Sequence, residues 1–525
     1  MKEELLIESI TDNPAINLAL DTIKIGKQAL VFVGTRPGSE KSAEEVAKRV
    51  NFGAGKGDEI RKLAKLAKDV LHSLDSPTRQ CERLSNCLKK GIAFHHSGLT
   101  AKQRELVEEN FRKGVIKIIC NTPSLAMGVD LPAYRSIIRD LKRFTQHGYD
   151  WIPVLEYHQM SGRAGRPTYD KEGQAIIFAK SEGEAEELEE KFINGKPEEI
   201  YSKLAVEPVL RSYLLSLIAS RIVTNKQEIL AFFEKTFWAY QFKDMAKLEK
   251  IINKMLALLE QWEFIKLSAK SEFVSASELD EGKIVATMLG NRVAELYLDP
   301  LTAYNLINGL KISKSRGINP FTLLHLVSYT SELKPLLKVK VKEHDDVQNF
   351  LLEHEQNLLA KEPSLYESEY EEFLASVKTA MFFNSWIEEN SEEVLLENYN
   401  IRPGEIRAKL ANADWLLYSL TELARILQLN QQLKEITKLR FRMKYGVMEE
   451  LLSLLQLKNI GRVRSRKLFS NRIKTIADVK KADVATLTQI LGSGKVALDV
   501  KKQLGQEVKE VPSGKRKGQT SISKY

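Results

Sequence analysis

The chain of 525 residues has only three cysteines, Cys81, Cys87 and Cys120, and their spacing matches no metal site. Cys120 ends an apolar segment, so we expect all three thiols to be reduced and structural, as is usual in the cytoplasm. No apolar run approaches the ~18 residues that a membrane-spanning helix needs. The first residues do not resemble a signal peptide. We therefore expect a soluble cytoplasmic protein without a metal site of its own.

The chain also lacks a P-loop. That motif, G-x-x-x-x-G-K-[ST], binds nucleotide phosphates through its backbone N–H groups and its lysine. Residues 34–42 come near it, but Ser39 and Glu40 stand where glycine and lysine are required. Residues 489–496 fail as well, since Gln489 replaces the first glycine and Val496 the serine or threonine. No D-E-x-[HD] box follows an apolar segment. We therefore expect neither a phosphate cradle nor a Mg²⁺ site in this chain.

The composition is that of a globular protein, with 43% hydrophobic and 28% charged residues. Its length predicts about three to five domains. The net charge of +9 and the pI near 9.0 favour an acidic polymer as a partner.

Residues 159–167 (QMSGRAGRP) are the most informative segment. They place a glutamine, two glycines and two arginines at fixed spacing. An arginine that reaches a γ-phosphate stabilises the charge of phosphoryl transfer, typically by ~10³–10⁵ in rate, and glycines allow sharp turns and close backbone approach. The segment resembles motif VI (QxxGRxGRP) of superfamily 2 helicases. A surface loop rich in glycine and arginine is the alternative.

Three further segments resemble motifs of the same superfamily, in the same order. Residues 122–133 (TPSLAMGVDLPA) follow the apolar segment Ile116–Cys120 and resemble motif V of the Ski2-like branch. Residues 95–99 (HHSGL) resemble the element before motif V, and residues 29–36 resemble motif IV. Together they predict an α/β fold for residues 1–200, as the second of the two RecA-like lobes of such helicases.

Strand signals nearly vanish after residue 200, so the predicted class is α/β plus all-α. For residues 201–290 we predict a winged helix, with helices Glu207–Ile222 and Met245–Trp262 and short strands at 264–267 and 273–275. Residues 291–445 have the three- and four-residue apolar spacing of a helical bundle, in which residues 400–405 break the pattern before a long helix, Ile406–Leu427. Residues 506–525 are polar, which predicts a disordered tail.

Residues 446–505 contain two helix–hairpin–helix signals, at 457–464 and 491–497. Their glycines would turn each hairpin and present backbone N–H groups to a DNA phosphate. Residues 458–481 include nine basic residues and one acidic residue, Asp478. Arg462, Arg464 and Lys495 are therefore candidate DNA contacts. A solvated helical face is the alternative.

The order of these domains resembles that of archaeal Ski2-like DNA-repair helicases of the Hjm type, and is similar to polymerase-theta-type helicases. The resemblance covers essentially all of this chain but only the C-terminal part of the family's length. Residues 287–290, 296–300 and 413–418 narrow it to this branch. It implies 3′→5′ unwinding of DNA with ATP and Mg²⁺, a preference for forked DNA, and single-stranded and forked DNA as partners.

The resemblance also implies roles for individual residues. Arg163 and Arg166 would reach the γ-phosphate as the catalytic residues. The nucleotide cleft would contain Gly128, Asp130, Gln159 and Gly162, with Asp130 in place of the more usual asparagine. The contacts with the DNA backbone would come from Thr35, Arg36, Ser97, Gly98 and Thr122.

Two elements would act on the strand itself. Helicases of this type place a strand-separating β-hairpin at residues 139–154, where Gly148, Tyr149 and Trp151 near the tip suit a turn and a stacking wedge; a plain solvent-exposed hairpin is the alternative. The long helix after Pro403 resembles the ratchet helix of the family, with Trp415 placed to stack a base; a core tryptophan is the alternative. Ala408 stands where the family often has arginine, beside Arg407, a candidate DNA contact.

Residues 519–525 resemble a motif that docks on the PCNA-type sliding clamp, through Gln519, Ile522 and Tyr525. A disordered polar tail is the alternative.

Two functions remain open. The chain could be a helicase subunit that is inactive alone and takes its P-loop lobe from another chain, or a non-catalytic module that binds forks and single strands. An RNA helicase of the same branch would share motifs V and VI, but the helix–hairpin–helix pair favours DNA.

Overall fold

The computed structural model describes residues 6–50, 57–74, 77–131, 133–145, 148–165, 172–267 and 283–506. The chain divides into two compact units. Unit 1 comprises the residues up to Tyr201 and a later segment, Glu392–Lys409, which we name the strap. Unit 2 comprises Ser202–Ser391 and the residues from Leu410 onward.

Unit 1 is built on a five-stranded parallel sheet with the order β2-β3-β1-β4-β7. Its strands are β1 Ala29–Phe32, β2 Ile92–His95, β3 Ile118–Asn121, β4 Arg135–Ile138 and β7 Gln174–Ile176. A separate antiparallel hairpin joins β5 Lys142–Thr145 and β6 Gly148–Trp151. All residues of β1 to β4 are buried, as expected for a parallel sheet that is covered on both faces.

Helices cover this sheet: α1 Pro14–Lys24, α2 Arg36–Arg49, α3 Gly57–Leu71, α4 Arg79–Leu88, α5 Ala101–Arg112, α6 Val154–Ser161 and α7 Glu182–Leu188. Local sequence fixes several of their starts. Asn13, Thr35 and Thr100 each accept a backbone N–H of the first turn, which satisfies a donor that the helix leaves open. The predicted α/β alternation and the strands predicted at 29–33 and 116–120 are confirmed, with slightly shifted bounds.

The rest of the chain is mostly helical. Its elements are α8 Glu207–Ala219, α9 Lys226–Phe233, α10 Phe237–Phe242, α11 Met245–Gln261, β8 Ile265–Leu267, β9 Ile284–Ala286, α12 Met288–Glu295, α13 Pro300–Arg316, α14 Pro320–Ser328, α15 His344–His354, α16 Tyr370–Ile387, α17 Glu392–Tyr399, α18 Pro403–Ile426, α19 Asn430–Tyr445, α20 Arg462–Ser470, α21 Ile476–Lys481, α22 Val484–Leu491 and α23 Gly494–Gln503. No helix in the described ranges has the length and apolar character needed to cross a membrane.

Two short strands lie in the segment predicted as a winged helix. β8 lies at the predicted place and pairs antiparallel with β9, whereas the second strand was expected at residues 273–275, which fall outside the described residues. Near the C-terminus, α20 to α23 enclose a core of their own around Leu468, Val479, Leu487 and Ala497. The predicted tail at 506–525 also lies almost wholly outside the described residues.

The strap groups with the lobe, although its sequence lies within the segment assigned to the helical bundle. The cause is a close backbone contact. The Gly404 N–H donates to the Gly98 carbonyl at 2.9 Å, and a Cβ on Gly404 would lie 2.4 Å from the Ser97 carbonyl oxygen. Only glycine fits there without movement of the backbone. The lobe is therefore completed by residues about 300 positions further along the chain.

Candidate nucleotide and DNA interface

Three of the predicted DNA contacts meet at one edge of the sheet. Thr35, Ser97 and Thr122 follow the carboxyl ends of β1, β2 and β3, which are neighbouring parallel strands. Ligands of open parallel sheets bind at this edge. The Thr35 hydroxyl oxygen accepts the Gly38 N–H at 3.2 Å and so caps α2. Because that bond uses the oxygen as an acceptor, its O–H proton remains available for a phosphate.

The strap occupies part of the same edge. The Arg36 guanidinium forms an ion pair with Glu405 of the strap, with about a third of the Arg36 side chain left exposed. Ser97 is exposed, whereas Gly98 is tightly enclosed, since a Cβ there would lie 2.4 Å from Arg402 Cδ. No motif or spacing had indicated that Arg402 or Glu405 belongs to this edge.

A buried ionic cluster lies directly behind Ser97 and Gly98. Glu40 of α2, only 2% exposed, accepts hydrogen bonds from His96 Nε2 at 3.0 Å and from Arg402 Nε at 3.3 Å. It also pairs with Arg83 of α4. His96 Nδ1 in turn accepts the Gly98 N–H at 3.0 Å, so a neutral imidazole with its proton on Nε2 satisfies both ring nitrogens.

The pKa directions agree with that tautomer. Burial lowers the pKa of His96, and this outweighs its hydrogen bond to Glu40. Burial would raise the pKa of Glu40, but the hydrogen bond from His96 and the guanidinium groups of Arg402 and Arg83 together hold it below its usual value. At neutral pH the cluster therefore contains a carboxylate, a neutral imidazole and two guanidinium groups.

Motifs V and VI are joined by backbone contacts. The Arg163 guanidinium donates to the carbonyl of Ala126, at the end of the short 3₁₀ helix Pro123–Ala126. The Gly165 N–H donates to the Ala133 carbonyl at 2.8 Å. Gly165 has φ +67°, and a Cβ there would lie 2.7 Å from the backbone of Gly173, so the loop needs glycine. Burial lowers the pKa of Arg163.

The predicted nucleotide-binding residues lie in these two motifs. Gly162 closes α6 through its N–H to the His158 carbonyl at 2.9 Å, and the Asp130 carbonyl accepts from Arg112 at 3.1 Å. Gly128 has φ +75° with open space where a Cβ would project. Among the described residues, nothing donates to the buried Gln159 Oε1. A buried amide oxygen without a partner fits a ligand or water that donates an N–H or O–H to it. Arg166 lies outside the described residues.

The β5–β6 hairpin corrects the place of Trp151. That residue pairs with Lys142 at the base of the hairpin, not near its tip. The Lys142 ammonium lies 3.9 Å from the indole centroid, and Phe192 packs edge-on at 5.7 Å. Tyr149 is 73% exposed and faces Phe144, which is 80% exposed. Tyr149 and Phe144 are therefore the aromatic pair of the outer part of the hairpin, and Phe144 was missed.

The predicted ratchet helix is α18, and Trp415 is neither free nor fully buried in it. Its Nε1–H donates to the Leu296 carbonyl at 3.1 Å. The residue as a whole is partly exposed. Ala408 is exposed, and Arg407 pairs with Glu392 of α17. Burial lowers the pKa of Lys409.

The three candidate DNA contacts of the helix–hairpin–helix segments differ in how many contacts they already make within the protein. The Arg462 guanidinium stacks over Trp386 at 5.0 Å and donates to the Asn390 carbonyl at 2.8 Å, which is the setting of a packing residue. Arg464 donates to the Asn459 carbonyl at 2.8 Å. Lys495 is exposed in the first turn of α23, which Ser493 caps. The clamp-motif residues Gln519, Ile522 and Tyr525 lie outside the described residues.

Comparison with known protein families defines the class. The model of the helicase conserved C-terminal domain matches residues 68–168, a helix-turn-helix domain matches 177–266, and domain 4 of archaeal helicases matches 321–446. The chain therefore contains segments similar to a helicase C-terminal domain, a helix-turn-helix domain and the fourth domain of archaeal helicases, in that order. The helix-turn-helix match accords with the predicted winged helix.

The relatives narrow the class to one family. The chain is 38% identical over 516 residues to the ATP-dependent DNA helicase Hel308 of Methanocella arvoryzae, with 97% of this chain and 67% of the relative covered. Hel308 of Pyrococcus horikoshii is 40% identical over 505 residues, with 94% and 66% covered. The chain belongs to the family of Hel308 DNA helicases, which confirms the predicted archaeal Ski2-like resemblance. It spans about two thirds of the length of these relatives.

Proposed function

We propose that this chain is the C-terminal part of an ATP-dependent 3′→5′ DNA helicase that acts on forked DNA in replication-coupled repair. In this proposal a separate chain contributes the P-loop lobe. The observation that carries it is the meeting of Thr35, Ser97 and Thr122 at the carboxyl edge of three adjacent strands. Hydroxyl and backbone donors at such an edge suit the phosphates of one DNA strand.

The lobe's own residues suit a strand-holding role. The hydroxyls of Thr35 and Ser97 donate to phosphate oxygens, and Arg36 exchanges its carboxylate partner Glu405 for a phosphate when the strand binds. Phe144 and Tyr149 form the wedge that separates the duplex, because their exposed rings can stack on the last base pair. In unit 2, Trp415 stacks an unpaired base.

The nucleotide would lie between motifs V and VI and the P-loop lobe. ATP supplies the free energy of its hydrolysis when bound, with Mg²⁺ held by the P-loop lobe. On this chain, Gln159 and Gly128 border the nucleotide, and Arg163 and Arg166 stabilise charge on its γ-phosphate. The bond from Arg163 to the Ala126 carbonyl connects that arginine to the strand-binding side of motif V.

Salt dependence tests the DNA-binding part of this proposal. We expect the chain alone to bind single-stranded and forked DNA without nucleotide, with an affinity that falls steeply between ~50 and ~200 mM salt as counterions are released. Lys495→Ala is expected to reduce the slope of log affinity against log salt by about one. Fluorescence anisotropy of labelled forks measures both values.

Lys102→Ala is the matched control, because Lys102 pairs with Glu105 on the surface of α5. It should leave the salt slope unchanged. A fork affinity that is independent of salt would contradict binding through phosphate contacts, and an unchanged slope for Lys495→Ala would assign that lysine to the solvated surface.

Trp415 gives a residue-level test of the same proposal. Trp415→Ala is expected to lower single-strand affinity by about 1–3 kcal/mol through the lost stacking. Trp415→Phe loses the hydrogen bond to Leu296 but keeps a ring, so it should retain most of the affinity. Anisotropy and melting temperature are measured on the same samples. A large drop in melting temperature for Trp415→Ala with unchanged affinity would make Trp415 a core residue.

A non-catalytic module that recognises forks is the second candidate function. The absence of a P-loop pattern from this sequence favours it. The two candidates differ in whether a supplied P-loop lobe produces DNA-stimulated ATP turnover with this chain.

A further inference from the structure

We propose that Tyr297 forms a second base-stacking subsite beside Trp415, which binds an unpaired nucleobase of a single strand. The proposal rests on the proposed function, since it extends the path of the strand from the ratchet tryptophan to the turn after α12. Its substrate class is single-stranded nucleic acid of any sequence, because every base offers a flat face for stacking.

The backbone at Tyr297 is the first observation. Its φ is +56°, and it is the one aromatic residue among the described non-glycine residues with positive φ. A bulky side chain rarely adopts this left-handed conformation, which glycine or asparagine adopts more readily. Residues held in such conformations concentrate at functional sites. An aromatic residue at this place therefore calls for a reason other than the geometry of the turn.

Exposure is the second observation. The Tyr297 side chain is 87% exposed, although both of its neighbours, Leu296 and Leu298, are buried. The turn thus places two leucines in the core and directs the aromatic ring into solvent. The exposed face of the ring is therefore available for contact with another molecule, at a place where the backbone is also held in a left-handed conformation.

The flanks of Tyr297 are held so firmly that the turn cannot relax. The Leu296 carbonyl accepts the Trp415 indole N–H at 3.1 Å. The Asp299 carboxylate accepts two hydrogen bonds from Arg211, each 2.5 Å long. The Asp299 N–H donates to Glu332 at 3.0 Å. Side chains from α8, α18 and the segment after α14 therefore fix the residues on both sides of the ring, and the strained conformation persists.

The hydrogen bond to Leu296 also sets the distance between the two aromatic residues. With 3.1 Å from Trp415 Nε1 to the Leu296 oxygen, peptide geometry places the Tyr297 Cα within about 6 Å of the indole nitrogen. Two aromatic residues attached this close together can stack on neighbouring bases of one strand, as successive aromatic residues do in single-strand-binding proteins.

Two substitutions at Tyr297 separate the ring from the turn. Tyr297→Asn removes the ring and keeps a residue that tolerates positive φ, so the melting temperature should be unchanged or raised. Tyr297→Phe keeps the ring. We expect the full chain with Tyr297→Asn to bind a labelled oligothymidine about five- to a hundredfold more weakly, and Tyr297→Phe to bind like the parent.

The matched control is Tyr366→Asn, since Tyr366 is 98% exposed and its backbone φ is not positive. It should bind like the parent. An oligonucleotide of abasic sites supplies the decisive readout: without bases to stack on, the parent and Tyr297→Asn should bind it equally well. A purely structural role of Tyr297 would weaken the binding of both oligonucleotides alike.

Two results would overturn the subsite. One is unchanged oligothymidine affinity for Tyr297→Asn, and the other is an equal loss on the abasic strand. If the parent binds single strands and Trp415→Ala weakens binding while Tyr297→Asn does not, the subsite fails and the proposed function stands. If the parent itself binds no single strand, the proposed function fails first.

Discussion

With a P-loop lobe of a Hel308 relative supplied as a separate chain, Arg166→Ala is expected to lower DNA-stimulated ATP turnover by a factor of about 10³ or more. The reason is electrostatic, since the guanidinium stabilises charge that grows on the γ-phosphate oxygens only as the transition state forms. DNA affinity should stay unchanged, because the arginine acts on the nucleotide. Steady-state turnover with and without single-stranded DNA measures the effect.

Arg61→Ala is the control for that experiment. The Arg61 side chain is 86% exposed on α3 of the same lobe and pairs only loosely with Asp58, at 3.7 Å, so its loss should not affect turnover. The chain without the added lobe is expected to hydrolyse no ATP above background, because nothing in its sequence forms a phosphate cradle. Turnover by the chain alone, or unchanged turnover after Arg166→Ala, would contradict the assignment.

The lobe was predictable because its signals are local. The strands before Gly34, His96 and Thr122 are short buried apolar segments, and the glycines of motifs V and VI stand where the backbone turns sharply or meets another segment. Gly165 is an example, since motif VI predicted a glycine that allows a sharp turn, and the structure gives this residue a φ of +67°. A motif whose residues lie within a few positions of one another can be recognised from the sequence alone.

The hairpin and the strap depend on information that is not local. Trp151 was expected near the tip, but the pairing register opposite Lys142 places it at the base, and alternation along a strand does not reveal the register. Gly404 was interpreted as part of a break before a helix. Its contact with Gly98 joins segments about 300 residues apart, and such a contact leaves no signal in the neighbouring sequence.

The environment of Trp415 could not be predicted from helical periodicity. That pattern distinguishes a core residue from a solvent-exposed one, whereas Trp415 is partly buried. The ring is partly buried, and its Nε1–H is bound to a carbonyl of the turn after α12. Only the tertiary structure shows that this turn also contains Tyr297.

Glu40→Gln is expected to destabilise the lobe by roughly 2–4 kcal/mol, the other large effect that the structure predicts. The carboxylate is buried and accepts from His96 and Arg402 while it pairs with Arg83. An amide of the same shape removes the charge and turns an N–H donor toward guanidinium groups that are donors themselves. Breaking one partner of a buried ion pair leaves the other charges without compensation.

Hydrogen exchange followed by mass spectrometry tests this in the lobe itself. Peptides that cover β1 and β2 should exchange faster in Glu40→Gln than in the parent, and residues 96–99 should exchange fastest, since His96 orients the Gly98 N–H. Glu108→Gln is the matched control. Glu108 accepts from His95 at 2.9 Å but is less buried, so its loss should cost about 1 kcal/mol.

The directions of two pKa shifts predict how the destabilisation by Glu40→Gln depends on pH. His96 has a pKa below 6.5 in the folded lobe, so acid destabilises both chains as the unfolded state takes up its proton. Glu40 has a folded pKa below 4.5, so its stabilisation is present above pH 4.5 and is lost as the pH falls through that folded pKa. The stability difference between the parent and Glu40→Gln should therefore be largest near neutral pH and shrink below pH 4.5, because the unfolded parent takes up a proton there before the folded parent does. A difference that stays constant down to strongly acidic pH would show that the charge of Glu40 does not hold His96 and Arg402 in place.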